Sequence, residues 1–215
     1  MGFEFELTSG SPQQLSKPLC VVSPEFVSPN PIHMLSGKKL LALSDGNFGV
    51  TDVNGNLMFK LKGKLLSVHG KRLLVDGAGN RILTLQKRLT SARKRWQCFR
   101  GDSTNPRDHV FSAKQVNRTQ FKTSLDVFLA SNRNQDVADF TVKGNWFEKR
   151  CTVYVGETTT VIAEINKKQN AQFMAFGVDN YTITVYPSVD YVFVVALIAI
   201  LNEINDDKDD DDDEK

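Results

Sequence analysis

An uninterrupted apolar run, Tyr191 to Leu201, reads Tyr-Val-Phe-Val-Val-Ala-Leu-Ile-Ala-Ile-Leu and holds no charged residue. A helix of this composition is apolar on every side, so it belongs in a protein core or in lipid. Its eleven residues cover about 16 Å at the helical rise, roughly half of what a bilayer core requires. The run therefore predicts a central core helix wrapped by the rest of the chain. It is longer than a typical buried strand, and no Gly or Pro interrupts it. Asp190 stands just before it as an N-cap whose carboxylate accepts from free backbone N–H groups. Pro187 and Ser188 close the preceding segment, and Asn202, Glu203, Ile204 and Asn205 supply a last polar turn. A buried strand is the rival reading, because Val and Ile favour strands.

The preceding residues carry a different pattern. Short alternating or wholly apolar runs recur at Lys38–Leu43, Phe48–Thr51, Leu57–Lys62, Lys64–Val68, Arg72–Val75 and Arg81–Gln86. The breaks are Asp45-Gly46, Asn54-Gly55, His69-Gly70 and Asp76-Gly77, residues that tolerate the positive φ of tight hairpins. Strand patterns continue at Trp96–Arg100, His109–Val116, Ser124–Ala130, Asp139–Val142, Cys151–Val155, Thr160–Asn166 and Tyr181–Tyr186. Cys20–Val22 reads as a short strand, and Pro24, Pro29 and Pro31 exclude a central strand or helix just after it. About a dozen strands in an antiparallel meander need closure or a two-layer sandwich to remove their edges. A barrel closed around the 191–201 helix would bury the helix and fill the barrel at once.

Nothing between these runs has the composition of a domain linker. The reading is one mainly β domain over residues 19–205, a loose lead-in over 1–18 and a disordered acidic tail over 206–215. The tail has eight acids and two lysines, a net charge of −6. The whole chain is +2, so residues 1–205 carry +8. With no apolar residue to offset the entropy of ordering, the tail is expected to act in solubility or in screening a basic surface. Cys20, Cys98 and Cys151 are odd in number and widely spaced, which suits free thiols in a reducing compartment. The amino end is acidic and has no secretory pattern. Gly2 lacks the Ser or Thr at position six that myristoylation wants, since Glu6 is there.

The sequence resembles the plant LURP-one-related family, placed with tubby-like proteins and phospholipid scramblases. The residues that carry this are Phe48-Gly-Val-Thr-Asp-Val-Asn-Gly-Asn-Leu-Met-Phe59, Gly79-Asn-Arg-Ile-Leu-Thr-Leu85, Arg95-Trp-Gln97 with Gly101-Asp102, Val142-Lys-Gly144, Arg150-Cys151, Val161-Ile-Ala-Glu-Ile165 and Val189 to Leu201. Their order and spacing, over roughly residues 20 to 205, are the specific signal. The resemblance implies a twelve-stranded antiparallel barrel around a buried C-terminal helix, no enzyme activity, no cofactor, a link to plant defence and relatives that bind phosphoinositides or membranes. It places the chain in the cytoplasm, peripheral to a membrane, or in the nucleus. Where the family often has Arg-Lys after Ala-Glu-Ile, this chain has Asn166-Lys167-Lys168. Scramblase-like relatives carry an acidic calcium segment before the helix. Here Asp179, Asn180 and Asp190 are too few oxygen donors for that ion, and Asp190 is better explained as a cap.

Catalysis finds little support. His33, His69 and His109 are isolated, no nucleophile elbow or metalloprotease motif occurs, and Gly77-Ala-Gly79 has Ile82 where a dinucleotide fingerprint needs its third glycine. The candidate site is a basic loop in Lys87–Arg95, where Lys87, Arg88, Arg93, Lys94 and Arg95 stand beside Trp96. Anionic headgroups attract such clusters, and nucleic-acid phosphates do so too. The expected partner is therefore an anionic lipid surface; the alternatives are a protein or nucleic-acid adaptor and a scramblase-like membrane protein. A solvated hairpin tip is the bland explanation.

Overall fold

Asp52 shows how the hairpins of this chain are built. Its Oδ1 accepts from the backbone N–H of Asn54 and Asn56 at 2.8 and 2.9 Å, and its Oδ2 accepts from Asn56 Nδ2 at 2.7 Å. Gly55, at φ +89°, supplies the left-handed residue that the turn requires. The same Asp-x-x-Gly-Asn device returns at Asp76, which accepts from the N–H and the Nδ2 of Asn80, both at 2.8 Å.

A computed structural model describes residues 15, 17–36, 48–63, 70–88, 95–119, 122–167 and 181–212. Such turns join β2 (Gly49–Asp52) to β3 (Leu57–Lys62) and β4 (Lys71–Asp76) to β5 (Arg81–Arg88); β1 (Ile32–Ser36) precedes them and β6 (Arg95–Arg100) comes next. There follow β7 (His109–Thr119), β8 (Lys122–Leu129), β9 (Phe140–Asn145), β10 (Arg150–Val155), β11 (Val161–Lys167) and β12 (Tyr181–Val185). Each strand pairs antiparallel with the next, and β1 pairs with β12 through Ile32↔Val185 to Ser36↔Tyr181, so the sheet is a closed twelve-stranded barrel. Register shifts at Val50/Thr51, Leu74/Val75, Cys98/Phe99 and Val153/Tyr154 are bulges of the kind that bend strands around such a wall. At β9–β10 the backbones pass so closely that a Cβ on Gly144 would lie 2.2 Å from the carbonyl oxygen of Arg150. Only glycine fits there, at φ +148°.

The helix α1 (Tyr191–Asp212) runs inside the barrel, with every residue from Val192 to Ala199 fully buried. Phe193 stacks edge-on against Phe111 at 5.2 Å and tilts over Phe140 at 4.9 Å. The expectation of a wrapped apolar helix, and of a barrel instead of a sandwich, is met. Within the stretch 206–215, expected to be a disordered tail, the backbone is helical to Asp212, and 213–215 lie outside the described residues. Once nucleated, a helix extends at little cost per residue. Its 22 residues cover about 33 Å, whereas six-residue tilted strands make a wall under about 20 Å tall, so the helix outruns the barrel.

Two further readings change. The chain at Cys20–Val22 is not a strand; its β-type pairings to the helix entrance are two isolated bridges, Leu19 to Val189 and Val27 to Asp190. The prolines do not exclude a strand after them. Pro31 directly precedes β1, where its missing N–H interrupts no ladder, and Met34 and Ser36 face inward. The predicted runs Lys38–Leu43 and Lys64–Val68 lie outside the described residues.

Antiparallel alternation sorts everything between two ends. The helix enters at one end, with the β2–β3, β4–β5, β6–β7, β8–β9 and β10–β11 connections. It leaves at the other, where β5 ends and β6 begins and where the β9–β10 hairpin turns.

Candidate functional site

The helix-exit end is basic. Of the five candidate residues, Lys87, Arg88 and Arg95 stand there, and Arg93 and Lys94 lie outside the described residues. Arg88 is paired directly opposite Arg95 across the β5–β6 ladder. Like charges in that relation destabilise a sheet, so they serve the fold poorly and suit an external anion. Lys62, Lys149, Arg150 and Lys167 share this end. Glu148 lies 3.9 Å from Arg150, and both side chains are more than half exposed, so the pair is loose. Trp96, which the sequence places beside the cluster, turns into the barrel and is 2 % exposed, so it offers no stacking face.

The acidic run from Asp206 emerges at the same end; the opposite end carries further acids, interspersed with Arg81, Arg107 and Arg133. Asp52, Asp76, Asp102, Asp136 and Glu157 lie on its hairpins. A side-chain hydrogen bond from Asn56 holds Asp52 below the usual carboxylate range, and the Lys71 ammonium does the same for Asp102. These groups therefore stay charged at neutral pH. Lys71 binds Asp102 at 2.7 Å, and Arg72 is buried against Glu203 at 2.9 Å, so neither joins the basic cluster. Asp190 caps the helix, accepting from the N–H of Val192 and Phe193 at 3.1 Å, as its position predicts.

The remaining titratable groups do not converge. His33 sits on β1 against Thr184 Oγ1 at 3.2 Å, and His69 lies outside the described residues. His109 Nε2 is 3.0 Å from Ser112 Oγ, a contact that the sequence reading missed. That serine is 1 % exposed, so no substrate reaches it. Burial pushes Cys98 well up and Cys151 up to about 12. Cys20 is exposed. An excess of an aromatic disulfide reagent at neutral pH is expected to titrate one thiol in the folded chain and three after unfolding. Rapid reaction of all three in the folded protein would show that the barrel opens.

The model of the LURP-one-related family matches residues 34–202. The chain belongs to the LURP-one-related family. It is 45% identical over 182 residues to Protein LURP-one-related 15 of Arabidopsis thaliana, which covers 85% of this chain and 84% of the relative. It is 43% identical over 185 residues to LURP-one-related 10 of the same plant, at 86% and 95% coverage. An X-ray structure of an Arabidopsis thaliana protein superposes with a TM-score of 0.68 at 41% identity, covering 86% of this chain and 98% of that one. The glycines and hairpin residues read as signature positions of a LURP-one-related chain have local physical causes here. Asn54-Gly55-Asn56 and Gly79-Asn80 make turns, and Gly144 permits a close backbone approach. Among the described residues, no helix is long and apolar enough to cross a membrane.

Proposed function

We propose that this LURP-one-related chain is a non-catalytic module that binds anionic, phosphate-bearing headgroups through the helix-exit end of its barrel, in the setting of plant defence signalling. The observation that carries this reading is the gathering of bases on the helix-exit rim of the barrel, with Arg88 directly opposite Arg95 across the β5–β6 ladder. The resemblance to tubby-like proteins, whose relatives bind phosphoinositides, supports the same ligand class. The burial of Cys98 and Cys151 and the separate contacts of His33 and His109 support a role without catalysis.

The test is co-sedimentation of the full chain with phosphatidylcholine vesicles, with and without a phosphoinositide. Binding to the phosphoinositide vesicles is expected to fall with salt. Replacing Lys87, Arg88 and Arg95 together by alanine should weaken it about a hundredfold, at about 1 kcal/mol per basic residue. Removing residues 206–215 takes away a net charge of −6 from the end where the helix emerges, and should tighten binding at low salt. Equal binding to neutral vesicles, or a triple variant that binds like the parent, sinks the reading. Preference for duplex DNA over vesicles in parallel assays would favour a nucleic-acid adaptor.

A further inference from the structure

We infer that Ser23 is a phosphorylation site for a kinase that acts on serine before proline, and that its phosphate lifts the segment Leu19–Val27 off the helix entrance. The site lies at the opposite end of the barrel from the basic rim and does not depend on what that rim binds.

Three of the seven prolines follow a serine, and all three pairs, Ser11-Pro12, Ser23-Pro24 and Ser28-Pro29, come before β1. The first lies outside the described residues. Ser-Pro is also an ordinary helix start, with Ser as cap and Pro in the first position. The fold separates the two uses. Pro24 opens a short 3-10 helix, Pro24–Phe26, yet the Ser23 side chain caps nothing. Asn105 completes the same device before Pro106–Asp108, accepting from the Arg107 N–H at 2.9 Å. Ser28 Oγ is engaged as well, accepting from the Asn30 N–H at 3.1 Å. Among the described residues the Ser23 hydroxyl makes no hydrogen bond, so none has to break before it reacts.

The backbone at Ser23 is extended, at φ −158° and ψ 146°, as Pro24 requires of the residue before it. Pro24 and Glu25 beside it are exposed. An extended acceptor followed by an accessible proline is what a proline-directed kinase holds. Ser23 itself is half-buried, so the kinase takes it as the segment lifts. The two isolated bridges of this segment, in place of a strand ladder, make that opening local.

In the transfer, Ser23 Oγ attacks the γ-phosphorus of ATP. The bond from that phosphorus to the bridging oxygen breaks, ADP leaves with its electron pair, and the hydroxyl proton passes to a base of the kinase. The product carries a charge of about −1.5 to −2. The Ser23 N–H donates to Asp190 Oδ2 at 3.2 Å, so the phosphate stands within one side chain's length of a buried carboxylate. The two anions repel, and the phosphate oxygens compete for that N–H. Arg100, which donates to the Val22 carbonyl, is drawn to the phosphate instead. Each of these changes removes a tie between Val22–Ser23 and the helix entrance.

The test incubates the folded full chain and its S23A variant with magnesium ATP and a mitogen-activated protein kinase. Tandem mass spectrometry locates the added phosphoryl groups, and hydrogen exchange follows the segment. Phosphate is expected at Ser23 of the folded parent. In that product the amides of Leu19–Ser23 should exchange about tenfold faster, as like charges at this separation imply, while Leu83 and Val127 in the barrel wall keep their rates. S23A, which loses a hydroxyl that caps nothing, should exchange as the unmodified parent does. No phosphate at Ser23, or phosphate there only after unfolding in urea, overturns the site. Phosphate at Ser23 with unchanged exchange at Leu19–Ser23 overturns the release.

Discussion

Replacing Asp190 by alanine is expected to lower the stability of the fold by about 3–5 kcal/mol, a large share of what a domain typically has. The carboxylate is fully buried and serves two parts of the chain at once. Its Oδ1 accepts from Val192 and Phe193 at 3.1 Å, which is ordinary helix capping. Its Oδ2 accepts from three consecutive backbone N–H groups, Val21 at 3.2 Å, Val22 at 2.6 Å and Ser23 at 3.2 Å. Five donors thus converge on one side chain. Capping alone accounts for about 1 kcal/mol; the rest comes from stranding the other N–H groups, that of Val22 buried and those of Val21 and Ser23 partly so. Around it, Leu19 N–H donates to Ser188 O at 2.7 Å, and Asp190 N–H donates to Leu19 O at 2.9 Å. Arg100 also donates to the carbonyl of Val22. Asp190 therefore fastens the segment around Leu19–Val27 over the entrance through which the helix passes. Urea denaturation at neutral pH measures the total effect, and hydrogen exchange at residues 19–27 separates release of that segment from global unfolding. Asp190→Asn should fall between, because its single oxygen serves only one of the two sets of donors. An alanine variant within about 0.5 kcal/mol of the parent would show that other groups satisfy the stranded N–H groups.

That dual role also marks how far the chain was legible before its fold was known. Asp190 was readable as a cap, because capping is local and its partners lie two and three residues on. Its hold on Val21–Ser23 spans 167 to 169 residues and leaves no local pattern. The barrel was legible for the same reason as the cap, since hairpin turns and alternation are short-range, and eleven of the predicted runs fall on strands. The strand Ile32–Ser36 was hidden, because Pro31 reads as a breaker when the ladder begins only after it. At the basic end, Lys87, Arg88 and Arg95 stood out by their closeness in sequence. Lys149, Arg150 and Lys167 join them only through strand alternation. Trp96 was misleading for the converse reason: adjacent residues on a strand face opposite ways, so a neighbour of Arg95 is inside.

Removing Glu203 alone, as Glu203→Leu, is expected to cost about 3–5 kcal/mol, whereas Arg72→Met with Glu203→Leu should recover most of that loss. Arg72 points inward from β4, and its Nε donates to Glu203 Oε2 at 2.9 Å, with side chains 5% and 6% exposed. The single change leaves a guanidinium buried without its carboxylate. The double change leaves an apolar contact of similar volume. The pair therefore adds little net stability, and its use lies elsewhere. The helix is buried on all sides from Val192 to Leu201, so apolar packing alone barely fixes its rotation or its depth. One ion pair near its exit removes that freedom, because any turn or slip of the helix separates the charges in a site with no water to replace either partner. The double variant should then be as stable as the parent yet less uniquely packed, with broadened amide resonances around α1 in nuclear magnetic resonance spectra and faster exchange of its amides. A thermodynamic cycle built from the two single variants and the double reads the coupling directly. Additive losses in that cycle, or a double variant with spectra as sharp as the parent's, would mean that packing alone holds the helix in place.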